Sequence, residues 1–321
     1  MKSAMFDAIV LGAGPAGLTA GIYLARAKMR TLIVNEGTAG GQMVLTHEVA
    51  NYPGVESTSG YQLATTMKNQ AAKFGCIIRS NASVTRLDIR GEMKTVEVNG
   101  NEVFTAPAVI LAPGGRPRML GVPGEEDFKG KGISYCATCD GDFFQDRDIV
   151  VVGGGNSALE EAVSLTRYAR SVNIVHQFDH FQAFAHAVQE AKAYPKIRFT
   201  MESTIAEFVG EESLRMVRIR NLVTGATTAS DVDGAFIFIG YAPNTEKLAG
   251  HVDLNGAREI IVDPLLQTGV PGVFAAGDAV AKRYRQITTA VADGTVAALG
   301  AIDYVRTAAV PRRAAEMAGA D

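Results

Sequence analysis

The chain has 321 residues, with 31 basic and 34 acidic side chains, a formal net charge of −3, and 47% hydrophobic and 20% charged residues. That is the make-up of a globular protein long enough for two domains. It holds no basic block suited to nucleic acid or an anionic membrane surface, and no apolar run near the ~20 residues of a membrane span.

The opening, MKSAMFDAIVLGAGPAGLTA, has the outline of a secretory signal: one Lys, an apolar run, then small residues. The glycines argue against it, because cleavage would destroy the pattern they form. FDAIVLGAGPAGLTAGIYLARA reads as strand, tight turn and helix, with Gly12, Gly14 and Gly17 in G-x-G-x-x-G. The first glycine permits the turn, the second lets backbone approach a pyrophosphate, and the third lets helix and strand pack closely. The free N–H groups of the helix then face the anion. A second strand, RTLIVNE, ends at Glu36, 19 residues beyond Gly17. That is where an acid for a ribose hydroxyl is expected.

Three cysteines make no disulfide framework, and the chain is expected in the cytoplasm. Cys76, in KFGCIIRS, reads as a buried small hydrophobe. Cys136 and Cys139 lie in SYCATCDGDFF, followed at once by Asp140. A close pair in a reducing compartment is metal-binding or catalytic. Zinc would need His176 and His180, spaced H-x3-H. A gap of 36 residues, holding a whole glycine turn and helix, separates them from Cys139. A compact finger allows about a dozen, so no metal is expected.

The nucleotide pattern recurs in RDIVVVGGGNSALEEAVSLTRYA, with Gly153, Gly155 and Ala158 in the three positions, and SVNIVH as the next strand. Two such units suggest two nucleotides. The tail, TGVPGVFAAGDAVAKRYRQITTAVADGTVAALGAIDYV, reads as strand, glycine turn and long helix, with Asp278 closing the strand. The last residues, from Arg306, read as a frayed terminus.

Taken in order, G-x-G-x-x-G, GGQ (Gly40 to Gln42), NYPG (Asn51 to Gly54), CATCDG, GGGNSALEEA, GYAPNT and GVFAAGDA with RQ resemble the low-molecular-weight thioredoxin reductase family of flavoproteins. The resemblance runs from about residue 5 to residue 305. It implies an α/β fold of two Rossmann-like, three-layer domains. The FAD domain is discontinuous, 1–117 and 246–321, around an inserted nicotinamide and redox-disulfide domain, 118–245. Hinges are expected in APGGRPRMLGVPG and IGYAPNT, both rich in turn residues. Because one insertion must present first a nicotinamide and then the cysteines to the flavin, a rotation about these hinges is implied. A homodimer is implied too.

The implied activity carries electrons from a reduced donor to FAD, then to a Cys136–Cys139 disulfide, then to thioredoxin or a similar protein. Carried onto this chain, FAD contacts fall at Gly12, Gly14, Ala16, Gly17, Glu36, Gly41, Gln42 and Asn51, and in the tail at Asp278, Arg285 and Gln286. Nicotinamide contacts fall at Gly153, Gly155, Asn156, Ser157, Ala158 and His176. Cys139 is the flavin-side thiol and Cys136 attacks the substrate. Asp140 is placed to hold or deliver the proton a leaving thiolate needs.

The sequence departs from the family at one chemically decisive place. NADPH-using members carry H-R-R-x-x-x-R after the second glycine turn, whose arginines grip the 2′-phosphate. Here His176 remains, but Gln177, Phe178 and Gln182 hold the arginine positions. Three outcomes follow. NADH is favoured, its bare ribose meeting His176, Gln177 or Asp179. NADPH would need a basic residue from elsewhere, such as Arg170. A donor such as ferredoxin would leave the second unit as scaffold, and a dithiol oxidase using oxygen would dispense with a nicotinamide too. A smaller departure is Ala112-Pro113-Gly114 where the family has A-T-G. It removes a hydroxyl and a backbone donor.

Overall fold

The computed structural model describes residues 2–46 and 49–318. The helices are α1 (Pro15–Arg26), α2 (Gly60–Lys73), α3 (Ala137–Asp140), α4 (Asn156–Leu165), α5 (Ala185–Ala193) and α6 (Ile287–Ala318). The chain divides into two compact units, 1–116 with 242–321, and 117–241. The second crossing falls after Tyr241, earlier than the boundary at 245 read from the sequence. Asn244 explains the shift. Its N–H donates to Gly114 O at 2.9 Å and its side-chain amide to Pro113 O at 3.0 Å, so it belongs with the first unit.

Strand alternation decides the layers of the first unit. In Ala8–Leu11 all four residues are buried; Val10 faces one core, Ile9 and Leu11 the other. Ile33 and Ile110 join Val10, while Leu32, Val34, Val109 and Leu111 join Ile9. Strands buried on both faces need a layer on each side. The parallel sheet runs Val273–Ala275, Ala108–Leu111, Ala8–Leu11, Thr31–Val34, Ile77–Arg79. Helices α1, α2 and α6 cover the Val10 face. A four-stranded sheet (Lys2–Met5, Glu102–Ala106, Lys94–Val98, Val84–Asp88) closes the other. The outermost strand, Val273–Ala275, comes from the far end of the chain and pairs with Ala108–Leu111, so this core is assembled from both ends.

Small residues set how closely α1 and α6 approach. A Cβ on Gly294 of α6 would lie 2.2 Å from Ala16 O. The terminus expected to fray from Arg306 is instead helical to Ala318.

The second unit repeats the plan. Its parallel sheet runs Ile133–Ser134, Gly234–Ile237, Asp148–Val152, Ser171–Val175, Ile197–Thr200. Ile149, Val151, Val172, Ile174 and Phe236 pack under α4 and α5. Val150, Val152, Val175 and Ile237 face an antiparallel sheet of Ser203–Gly210, Leu214–Asn221 and Thr227–Asp231, through Ile205, Phe208 and Val217. One buried acid orders the entry to this unit. Glu125 is 1% exposed and accepts from Leu120 N–H at 3.0 Å, Gly121 N–H at 2.7 Å and the Tyr135 hydroxyl at 2.8 Å. Burial, reinforced by this carboxylate, pushes the Tyr135 phenol above its ordinary range. No helix among the described residues is long and apolar enough to cross a membrane.

Two predictions follow from this packing. Gly294→Ala should destabilise by about 1–3 kcal/mol, because the clash is with backbone that cannot rotate away; thermal unfolding measures it. Glu125→Ala should cost about 1–3 kcal/mol, since it removes one acceptor shared by three partly buried donors. Denaturant unfolding should show that loss as a lower midpoint.

Candidate functional site

The first glycine turn is built by close backbone approach. A Cβ on Gly12 (φ +112°) would sit 2.0 Å from Ala112 O, and one on Gly17 1.9 Å from Gly12 O. Gly41 (φ +63°) backs the turn: its Cβ would lie 3.1 Å from Gly14 Cα. Helix α1 starts at Pro15 with Gly14 as its N-cap, with no side-chain cap and no acid in its first turn. Ordinary capping is available in this fold, for Ser59 caps α2 by accepting from Gln62 N–H at 3.2 Å. The uncapped N-terminus of α1 is therefore a free set of donors for an anion.

Around the turn, Ala16 is buried between α1 and the Gly277 turn. Gln42, on the short 3-10 turn Gly41–Leu45, and Asn51, in the following loop, are exposed. Glu36 lies two residues beyond the strand Thr31–Val34, past the end expected for it, and Lys247 already donates to its Oε1 while Ser83 Oγ lies 3.2 Å from it. The lysine holds the Glu36 carboxyl below its usual range.

The tail turn brings a buried acid with one oxygen that makes no hydrogen bond. Asp278 Oδ1 is buried without a hydrogen bond, and burial raises its pKa against the opposing charges of Lys282 and Arg285. Lys282 Nζ is 3.9 Å from that oxygen and donates to Asp293 Oδ2 at 2.6 Å. Arg285 pairs with Glu259, and its Nε donates to Asp278 O at 3.3 Å. Gln286 N–H, just ahead of α6, is satisfied by Thr289 Oγ1 at 3.1 Å. An uncapped helix N-terminus, a glycine cradle and a buried carboxylate oxygen awaiting a donor fit a flavin dinucleotide with its pyrophosphate and ribityl hydroxyls.

The second turn has the same build. Gly153 (φ +139°) would place a Cβ 2.4 Å from Phe238 O and 3.0 Å from Ala158 Cβ. Gly155 is the N-cap of α4, again with no side-chain cap and no acid in the first turn. Ser157 is exposed, whereas Asn156 uses its Oδ1 to accept from Phe184 N–H at 2.8 Å. The expectation for His176 needs correction. It is 4% exposed, its Nε2 lies 3.1 Å from His180 O, and its ring fills the space a Cβ on Gly154 would take. His176 supports the turn from beneath; it does not offer an edge to a ribose.

The loop after His176 lies on the turn. Gln182 N–H donates to Gly154 O at 2.8 Å. Gln177, Phe178, Asp179 and Gln182 are exposed there, and His180 pairs with Asp179 at 2.6 Å. That contact keeps the Asp179 carboxyl below its usual range. Arg170 is not part of this rim. It precedes Ser171–Val175 and binds Asp148 at the start of Asp148–Val152. The turn begins at the other end of those strands, about 13 Å away along four residue steps.

Cys136 and Cys139 are joined as a disulfide, their Cα atoms 5.3 Å apart, across the start of α3. Both are half-buried. The bond excludes zinc ligation by this pair in this state, and no group of metal-binding side chains occurs among the described residues. Asp140 is anchored by Ser134, whose hydroxyl lies 2.5 Å from its Oδ2. Cys76 is buried, and burial pushes its thiol up to about 11.

Motif reading missed several supports. Asn35 accepts from Ala13 N–H at 2.9 Å and donates to Gly37 O and Thr38 O, which fixes the first turn. A polar residue closing the apolar strand before Glu36 was the available signal. Lys247, Lys282 and Ser134 had none in their own segments.

The chain matches the model of the pyridine nucleotide-disulphide oxidoreductase family over residues 6–294. It is 44% identical over 308 residues to the thioredoxin reductase of Peptoclostridium acidaminophilum, covering 94% of this chain and 97% of that one. Against the thioredoxin reductase of Mycolicibacterium smegmatis it is 45% identical over 297 residues, 92% and 95% of the two chains. The solved thioredoxin reductase of Streptococcus pyogenes MGAS5005 matches with a TM-score of 0.90 at 39% identity, over 95% of this chain and 99% of that one. Uncapped glycine turns, a cysteine pair closed as a disulfide and matches of this extent agree: the chain belongs to the low-molecular-weight thioredoxin reductase family of FAD-dependent pyridine nucleotide-disulphide oxidoreductases.

Proposed function

We propose that this protein is an NADH-linked thioredoxin reductase acting on thioredoxin or a thioredoxin-like protein disulfide. The carrying observation is the Cys136–Cys139 disulfide with the Asp140 carboxyl anchored beside it, in the same unit as an uncapped glycine turn. Bound FAD supplies two-electron exchange between a nicotinamide and a disulfide. The chain's own residues hold and orient. Gly12, Gly14 and the first N–H groups of α1 take the pyrophosphate, Glu36 a ribose hydroxyl, and Asp278 the ribityl chain. Gln42, Asn51, Arg285 and Gln286 complete that site. Gly153, Gly155, Ser157 and Ala158 receive the nicotinamide dinucleotide on α4. Cys139 serves as the flavin-side sulfur, Cys136 as the substrate-side sulfur, and Asp140 moves the proton.

The preference for NADH rests on charge. A 2′-phosphate calls for guanidinium or ammonium groups. Positions 177, 178 and 182 offer two amides and a phenyl ring, and Asp179 adds a carboxylate kept ionised by His180. Such a carboxylate accepts bonds from a ribose diol and repels a phosphate. A homodimer working in the cytoplasm is part of the same reading, and analytical ultracentrifugation tests the dimer.

Anaerobic titration of flavin absorbance is the direct experiment. NADH should bleach it at far lower concentration than NADPH. Bleaching by reduced ferredoxin alone, or oxygen uptake with dithiothreitol and no nicotinamide response, would overturn the reading. Gln177→Arg with Gln182→Arg should shift the kcat/KM ratio toward NADPH. Each restored charge-assisted bond is worth about 1.5–3 kcal/mol, roughly one to two orders of magnitude. Cys139→Ser should abolish thioredoxin reduction while leaving flavin reduction by NADH in place.

A further inference from the structure

Ser134 sits on the edge strand Ile133–Ser134, in register with Phe236, and is 6% exposed. Its position is therefore set by the sheet and not by the cysteine turn. Three polar contacts converge on its one hydroxyl. Cys136 N–H donates to Oγ at 3.1 Å. Asp140 Oδ2 lies 2.5 Å away and Cys136 O 3.3 Å away. A hydroxyl has one proton and two acceptor sites. With Cys136 N–H in one acceptor site, the proton can serve either Asp140 or Cys136 O, but not both.

We propose that Ser134 is a positioning residue for the reductive step, its hydroxyl turning between Asp140 and Cys136 O so that the Asp140 carboxyl keeps one place in both protonation states. The proposal rests on the reading of Asp140 as the proton carrier. The hydrogen count closes in each state. When Asp140 is ionised, Ser134 donates to Oδ2, and 2.5 Å is the length of a charge-assisted O–H···O bond. When Asp140 is protonated, the acid donates to the second acceptor site of Oγ, and the serine proton turns to Cys136 O. No heavy atom need move. A partner with only donors or only acceptors would fit one state and leave a buried polar group unpaired in the other.

The chemistry requires both states in each turnover. Two electrons, which bound FAD would supply, break the Cys136–Cys139 bond and leave two thiolates. Asp140 gives its proton to one of them and becomes a carboxylate, so one thiol and one thiolate result. The remaining thiolate, that of Cys136, attacks the disulfide of the protein substrate; a Cys136–substrate mixed disulfide forms, the substrate's own bond breaks, and its leaving sulfur takes up a proton from solvent. Cys139 then loses its proton back to Asp140 and attacks Cys136; the mixed disulfide breaks as Cys136–Cys139 closes, and the substrate's second sulfur leaves as a thiolate that solvent protonates. A carboxyl that drifted on changing charge would have to be re-placed twice per cycle.

The surroundings bear on any pH readout. Cys136 and Cys139 share the turn, and Asp142 follows it. Helix α4 packs against α3 and carries Glu160 and Glu161, the latter raised by burial and by Glu160. Tyr135, with Glu125 and Lys129 about it, lies between Ser134 and Cys136.

The test uses the flavin-loaded enzyme with Ser134→Ala, Ser134→Thr and Asp140→Asn, following flavin reduction by nicotinamide and disulfide turnover separately across pH. Ser134→Ala should lower disulfide turnover about ten- to a hundredfold, the loss of one charge-assisted bond, with flavin reduction little changed. Losing a donor to the carboxylate raises the pKa of Asp140, so the limb on which turnover falls with rising pH should move up by about one unit. Ser134→Thr, which keeps the hydroxyl, should restore both rate and limb. A Ser134→Ala enzyme with native turnover and an unmoved limb, while Asp140→Asn is impaired, would overturn the proposal. So would equal losses in both half-reactions, which mark a merely structural role. If Asp140→Asn turned over normally, the reading of Asp140 itself would fall and the proposal with it.

Discussion

Two helix N-termini that spring from glycine turns and carry no cap are the constraint on which the rest of this molecule depends. At Gly14 and at Gly155 no side chain accepts from the first turn, and no acid occupies it. Orphan N–H groups in a folded protein need a partner. Here the fold goes to some length to keep them available. Backbone must pass within contact of backbone at Gly12, Gly17 and Gly153, and a single Cβ at any of the three would close the gap. Everything behind those turns is arranged to permit that approach: Asn35 fastens the first from one side, Gly41 backs it from another, and the ring of His176 supports the second. The parallel sheets, buried on both faces, supply the rigid edge from which both turns spring.

The two turns are alike in backbone and unlike in what surrounds them. The first is accompanied by acids with nearby lysines, Glu36 with Lys247 and Asp278 with Lys282. Glu36 and Lys247 are both more than half exposed, so their pairing adds little to stability. Its effect is local, lowering the negative potential an acid would otherwise set beside a bound pyrophosphate. The second turn is ringed by uncharged amides, aromatic rings and one carboxylate. Its loop is docked by Gln182 N–H on Gly154 O, a backbone bond indifferent to side-chain identity. The loop can therefore hold its place while positions 177, 178 and 182 change chemistry. This separation of scaffold from rim makes a change of nicotinamide preference structurally inexpensive.

Much of this was legible in the sequence because glycine patterns, strand alternation and cysteine spacing are local. The G-x-G-x-x-G spacing marks the turn although the oxygen that a Cβ on Gly12 would meet belongs to distant Ala112, and Val10 and Ile9 declare their faces by a period of two. What was illegible is long-range. Lys247 reaches Glu36 across 211 residues, and no pattern around either foretells it. His176 was assigned as a ligand because the family motif starts there, yet burial decides its role, and a motif carries no burial. Arg170 looked available as a cation because its distance from the turn along the strands is set by the sheet. Ser134 stands two residues before Cys136, close enough to notice, but nothing in S-Y-C indicates that its hydroxyl points to Asp140.

The redox pair shows why the acid beside it needs support from outside its own turn. Helix α3 is four residues long, and Asp140 is its last member. Such a helix has little internal hydrogen bonding to hold its shape; Asp140 N–H to Cys136 O, at 3.2 Å, and Gly141 N–H to Ala137 O close it. Opening the disulfide removes the covalent tie between Cys136 and Cys139, which spans the same turn. At that moment the local restraint is weakest, and the proton must also be delivered. A carboxyl tethered only by this turn would loosen when it was needed. Ser134 is held by the parallel ladder to Gly234–Ile237, which does not change with the redox state of the pair. On the proposed mechanism the sheet, through one hydroxyl, thus lends its rigidity to a site whose own covalent brace opens in every cycle.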